Sequence, residues 1–245
     1  MHGVLGRTNR AFPGTWLGLM SPPPDAAPAL VERALAAQVP LEISSNPALW
    51  GGLMRGTEAT VAVTVGRNLA TCDRAETAND MIMGELLQFL SCIGRDRLDI
   101  VFLRLDRRLE EFQINGALEA LELNCEDGMI SHLGVACYGR AFATLAMWQF
   151  HDAFDLILMP RNPRQTEPYE MLSGLARERR VGVVTCGSID WGDGPVTDDL
   201  PTGGRLVCTY RQDHPVLVGV RTPAEIDSAL AEATPMQISE LEAVS

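Results

Sequence analysis

Few residues of this 245-residue chain are placed where they could move protons or hold charge. Glu42 lies inside the apolar run from Val39 to Ser44, where lost hydration would raise its pKa and suit it to general acid or base work. Tyr138 and Asp190, each following another apolar run, could complement it as second proton carriers. Arg104 ends the run Leu98-Asp99-Ile100-Val101-Phe102-Leu103, and Arg67 and Arg161 follow two more. Guanidinium groups that converge bind carboxylates bidentately and stack on rings, which suits a small anionic or aromatic ligand. The candidate catalytic set is therefore Glu42, Arg104, Tyr138 and Asp190. Around it the candidate binding residues are Ser45, Trp50, Arg67, Cys137, Arg161, Asn162, Ser188 and Trp191. The plainer expectation is that Arg104 pairs with Glu42 or Asp106 and that the charges cancel.

Other chemistries are excluded by composition. All 20 basic residues are arginines, so no Schiff-base lysine, lysine base or lysine-polarised tyrosine exists here. The four histidines, His2, His132, His151 and His214, fall away from strand ends, which argues against a Ser-His-Asp triad or a histidine metal site, and no metal is expected. Cys137 and Cys186 stand at strand ends without a histidine neighbour and read as buried thiols. A formal charge of -12 and a pI near 4.8 argue against a nucleic-acid phosphate footprint and against attraction to an anionic membrane. Six widely spaced cysteines with no CxxC pair suggest reduced thiols and the cytoplasm. The signal-like stretch from Arg7 to Ala27 is broken by Pro13-Gly14, and nothing approaches the ~20 apolar residues of a membrane span.

These side chains need elements to aim them. Short apolar runs alternate with amphipathic segments, the pattern of a parallel sheet covered by helices. Strands are expected at Trp16–Leu19, Val39–Ser44, Ala59–Val65, Leu98–Leu103, Ile130–Val135, Leu156–Met159, Val181–Cys186 and Val216–Val220. Helices are expected up to Ala37, over Arg74–Ile93, Phe112–Cys125, Arg140–Phe150 and Glu167–Arg180, and from Pro223 onward. Eight such strands predict one α/β domain over 1–245, a (β/α)8 TIM barrel whose site lies at the strands' C-terminal ends. Between 187 and 214 a Gly/Pro/Asp-rich loop replaces the expected helix, and it could cover the mouth.

At this length and order the chain resembles the aldo-keto reductases. The resemblance is carried by Leu5-Gly6-Arg7-Thr8, by Leu98–Leu103, by Ala117-Leu118-Glu119-Ala120-Leu121 leading to Gly128-Met129-Ile130 and Gly134-Val135, by Asn162-Pro163, and by Val218-Gly219-Val220-Arg221-Thr222-Pro223. It implies an aldo-keto-reductase-like barrel, and in that family an Asp, a Tyr, a Lys and a His carry out NADPH-dependent carbonyl reduction. The four matching positions here are Ser45, Trp50, Val65 and Arg104, none of which can take the role. The nicotinamide contacts fall on Ala136, Cys137 and Leu158, and those to the adenosine phosphate on Glu225, Ser228 and Ala229. No cofactor is expected, with residual NADP binding as the weaker alternative; Arg221 and Thr222, before the last helix, remain a candidate anion site.

The sequence thus implies a repurposed, non-redox enzyme, a dehydratase, isomerase, lyase or cyclase, acting on a small biosynthetic intermediate bound at the barrel's C-terminal mouth. The alternative is a non-catalytic binding or regulatory subunit with a protein partner, and a weaker one is an atypical NADP-dependent reductase using Tyr138.

Overall fold

The computed structural model describes residues 4–20, 22, 24–138, 141–160, 167–186 and 214–232. Eight strands, β1 (Thr15–Leu19), β2 (Leu41–Glu42), β3 (Val61–Val65), β4 (Leu98–Leu105), β5 (Ile130–Cys137), β6 (Leu156–Pro160), β7 (Gly182–Cys186) and β8 (Val216–Val220), pair in chain order into a closed parallel barrel. β1 closes it by pairing with both β2 and β8. The helices are α1 (Ala27–Ala36), α2 (Pro47–Met54), α3 (Ala75–Ile93), α4 (Glu111–Glu126), α5 (Ala141–Phe150), α6 (Glu167–Glu178) and α7 (Pro223–Glu232). No described helix is long and apolar enough to cross a membrane.

The near-continuous apolar strands follow from burial on both faces. Because side chains alternate along a strand, Val61, Val63, Val65, Val101, Leu103, Val135 and Cys137 pack outward against the helices. Trp16, Ala62, Phe102, Ala136, Leu158, Val184 and Cys186 point into the barrel. The N-terminal segment closes the floor: Val4 bridges to Ala11, and Leu5 and Phe12 join Trp16 inside. Gly6 makes that closure possible, since at φ 55° a Cβ would lie 1.9 Å from the Gly182 amide nitrogen.

Four elements differ from the sequence expectation in ways that bear on the site. β2 is two residues long rather than spanning Val39–Ser44, because Pro40 has no N–H to extend the ladder. β4 and β5 each run two residues further, which carries Arg104 and Cys137 on regular strand positions. α2 was not anticipated; Asn46 caps it by accepting a hydrogen bond from the Leu49 N–H at 3.2 Å, and Pro47 starts it.

Candidate functional site

The strand parity fixes which side chains reach the mouth. Glu42 stands between the outward-packed Leu41 and Ile43, so it points inward, as do Thr64 and Arg104 on the next two strands. With Tyr138, just past β5, these groups line one side of a cleft of about 290 Å³. Its other side comes from Arg67 and Asn68 after β3 and from Glu85, Gln88 and Phe89 on α3. The space holds about ten water volumes, room for a small molecule.

Glu42 is 7% exposed, and its Oε1 accepts the Ser44 N–H at 3.1 Å. Burial raises its pKa above the ordinary 4.5, against smaller lowering effects from Ser44, Thr64 and the charge of Arg67. Burial also raises the Tyr138 phenol, and the nearby Glu42 charge adds to it; Thr64 and Arg104 oppose the rise. The Thr64 hydroxyl is thus close enough to polarise both groups, although it completes a regular hydrogen bond with neither. Glu85 reaches in from α3 and accepts the Gly66 N–H at 2.7 Å, and burial raises its pKa as well. Gly66, at φ 87°, makes the left-handed turn that delivers Arg67 to the rim.

Arg104 is committed locally. Its Nε donates to Asp106 at 2.8 Å, Arg107 donates to the other Asp106 oxygen at 3.1 Å, and the Arg104 guanidinium carbon lies 4.0 Å from the Tyr138 ring centroid. Burial would raise the Asp106 carboxyl, but the hydrogen bonds and charges of the two arginines outweigh it and hold it below its ordinary value. Pairing of Arg104 with Asp106 rather than Glu42 is therefore what the structure contains.

Of the sequence candidates, Glu42, Ser45, Arg67, Arg104 and Tyr138 meet at the cleft. Two do not reach it. Trp50 is fully buried, and its indole N–H donates to the Ser45 hydroxyl at 2.9 Å; that hydroxyl in turn donates to the Leu19 carbonyl, so the pair braces α2 against β1. Cys137 faces the helices rather than the mouth, because its parity is that of Val135. Arg161, Asn162, Ser188, Asp190 and Trp191, with the 187–213 part of the loop, lie outside the described residues. Glu85, Asn68 and Gln88 were missed. The available signal was Glu85 on the buried stripe of α3, three residues after Ile82 and four before Phe89.

The resemblance matches several positions to dinucleotide contacts. Ala136 and Leu158 are apolar and buried inside the barrel, and Cys137 is turned away. At α7 the Glu225 carboxylate accepts the Arg221 N–H at 2.6 Å, while Thr222 Oγ1 accepts the Glu225 N–H at 3.3 Å. The candidate anion site at Arg221 and Thr222 thus already holds the chain's own carboxylate. Among the described residues no group of three or more metal-ligating side chains occurs.

The sequence matches no protein-family profile and no curated protein. The fold does match solved structures. The holo form of an aldo-keto reductase from Bacillus halodurans gives a TM-score of 0.76 at 15% identity, covering 98% of this chain and 93% of that one. An aldo/keto reductase from Brucella melitensis gives 0.71 at 14%, covering 96% and 94%, and the aldose reductase from Schistosoma japonicum gives 0.70 at 12%, covering 99% and 90%. At these identities the likeness is one of architecture: this chain has the eight-stranded barrel of the aldo-keto reductases.

Proposed function

We propose that this barrel is a non-redox enzyme that moves a proton on a small molecule held at its C-terminal mouth, the chemistry of an isomerase, lyase, dehydratase or cyclase. The observation behind the reading is Glu42, a buried carboxyl lining the cleft with no arginine in salt-bridge distance among the described residues. A carboxyl whose pKa is raised toward neutrality can both take and return a proton. Glu42 takes the proton from a carbon beside a carbonyl and returns it to the product. The Tyr138 phenol, kept protonated by its raised pKa, donates to the carbonyl oxygen as charge builds there. Arg104, stacked on that ring, strengthens the donor.

The test is deuterium exchange. The protein is incubated with 2-oxobutyrate, pyruvate and related small carbonyl compounds in D2O, and proton NMR follows loss of the signal next to the carbonyl. Glu42→Gln should slow exchange at least about a hundredfold while the protein stays folded and melts no lower than the parent. Exchange unaffected by that substitution, together with saturable micromolar binding of NADPH in a fluorescence titration, would sink the reading in favour of a reductase.

A second reading, a non-catalytic subunit that docks on a partner, is favoured by one feature. Of the eight exposed large apolar side chains described, five (Phe112, Leu123, Phe142, Phe150 and Met171) lie on α4, α5 and α6, with Phe150 at 84% exposed. A barrel that exchanges no proton on any compound, yet forms a stoichiometric complex lost on Phe150→Ser, would establish it.

A further inference from the structure

Two arginines face the cleft, and they are not equivalent. Arg104 already serves Asp106 and the Tyr138 ring. Arg67 has no carboxylate in salt-bridge distance and no hydrogen-bond acceptor among the described residues, yet its charge is felt by both Glu42 and Glu85. Each of those carboxyls is anchored by a backbone N–H, that of Ser44 or of Gly66, so neither needs Arg67 to hold its place. A cation left over between two anchored carboxyls, beside the amides of Asn68 and Gln88, has the donors for an incoming anion. The carboxyls supply further donors only when protonated, which their burial favours.

We propose that Arg67, with Asn68, Glu85 and Gln88, forms a carboxylate-reading subsite, so that the ligand is a small 2-oxo acid whose carboxylate lies on Arg67, whose keto oxygen meets Tyr138 and whose C–H carbon beyond the keto group stands over Glu42. This rests on the proton-transfer reading for what happens at that carbon, but binding at Arg67 stands or falls by itself. Planar, bidentate pairing to a carboxylate is what a guanidinium does best. The cleft's volume, about 290 Å³, suits an acid of that size with a short apolar or aromatic tail against Phe89 and Met20.

Ligand-observed NMR on the full chain compares pyruvate, 2-oxobutyrate and phenylpyruvate with their primary amides, which have the same shape and no charge. The acids should bind at least tenfold more tightly than the amides. Arg67→Gln should remove that preference and leave amide binding unchanged, while Arg67→Lys restores part of it. Acid affinity should fall as pH rises, because ionising Glu42 from β2 and Glu85 from α3 places negative charge beside the ligand; Arg67, Arg104 and Tyr138 complete the ionisable set lining the cleft, with Asp106 paired to Arg104. Acids and amides binding alike, an unchanged preference in Arg67→Gln, or no binding by any probe would overturn the subsite. Acids that bind through Arg67 without exchanging a proton would uphold the subsite and sink the proton-transfer reading. Amides exchanging as fast as acids would do the reverse.

Discussion

The floor and the mouth of the barrel rest on the same eight strands and treat polarity in opposite ways. At the floor, Leu5, Phe12 and Trp16 fill the axis, with the rings of Phe12 and Trp16 5.4 Å apart. The one polar atom there, Trp16 Nε1, is buried without a partner, a small flaw in an otherwise apolar plug. At the mouth the same inward positions carry Glu42, Thr64 and Arg104, and burial works against the ionised form of Glu42. A fold selected for stability alone would extend the apolar plug upward. Among the described residues Glu42 is the most deeply buried carboxyl, and its retention at the mouth is what the proposed site requires.

If the two ends are separate in this sense, damage to the floor should cost stability and leave the mouth intact. Trp16→Ala has the largest expected effect, about 3–5 kcal/mol of unfolding free energy, for a large buried ring lost with little room to collapse. Urea unfolding measures it, and acid binding by the remaining folded protein should stay within about twofold, well under 1 kcal/mol. Binding that collapses along with stability would mean that floor and mouth are one cooperative unit. Next comes Asp106→Asn, which leaves Arg104 partly buried without its counter-ion and should cost about 1–2 kcal/mol. Asp106 is held below its ordinary 3.8, so its stabilisation is present above that value and disappears as pH falls through the lower folded one. Variant and parent should therefore converge in acid.

Glu42→Gln sharpens the contrast through its sign. Because the folded pKa is raised above the ordinary 4.5, the parent loses stability as pH climbs from there through the folded value, and below 4.5 the penalty vanishes. The amide carries no such penalty. Near pH 7 the variant should therefore be the more stable of the two, with the gap closing toward pH 4. Thermal melts at pH 4 and pH 7 read the difference, and a variant less stable at both would show that Glu42 has a structural role instead.

Much of the barrel was legible because it depends on period. Runs such as Leu98–Leu103 can only be covered on both faces, and eight of them in alternation with helices leave few architectures. What stayed hidden depended on contacts across the chain. The short β2 turns on where Pro40 meets its neighbours. α2 carries Gly51-Gly52, poor helix formers; in space a Cβ at Gly51 would lie 2.8 Å from Cys92 on α3, so packing dictates the glycine. Parity explains the site: nearness to a strand end picks out Glu42, Arg104 and Cys137 alike, and only the alternation of side chains turns the first two inward and Cys137 outward. Trp50 was misjudged because a residue beside a strand end can turn into the core, and Glu85 escaped because a helix, not a strand end, delivers it.

The smallest effect tests how the floor plug is fastened. Arg7 donates from Nε to the Arg179 carbonyl at 2.9 Å and from one terminal nitrogen to both Asp152 carboxylate oxygens, at 2.9 and 3.0 Å, so it ties the N-terminal segment to the ends of α5 and α6. Asp152 is 56% exposed, and water and salt screen the pair. Arg7→Ala should therefore cost only about 0.5–1 kcal/mol, with the ionic part fading between low and high salt. The apolar contacts of Leu5 and Phe12 do not involve that guanidinium, so the plug should stay seated and acid binding at the mouth should not move. A loss comparable to that of Trp16→Ala would show that the floor is held by charge rather than by packing, and the division between an apolar end and a polar end would have to be redrawn.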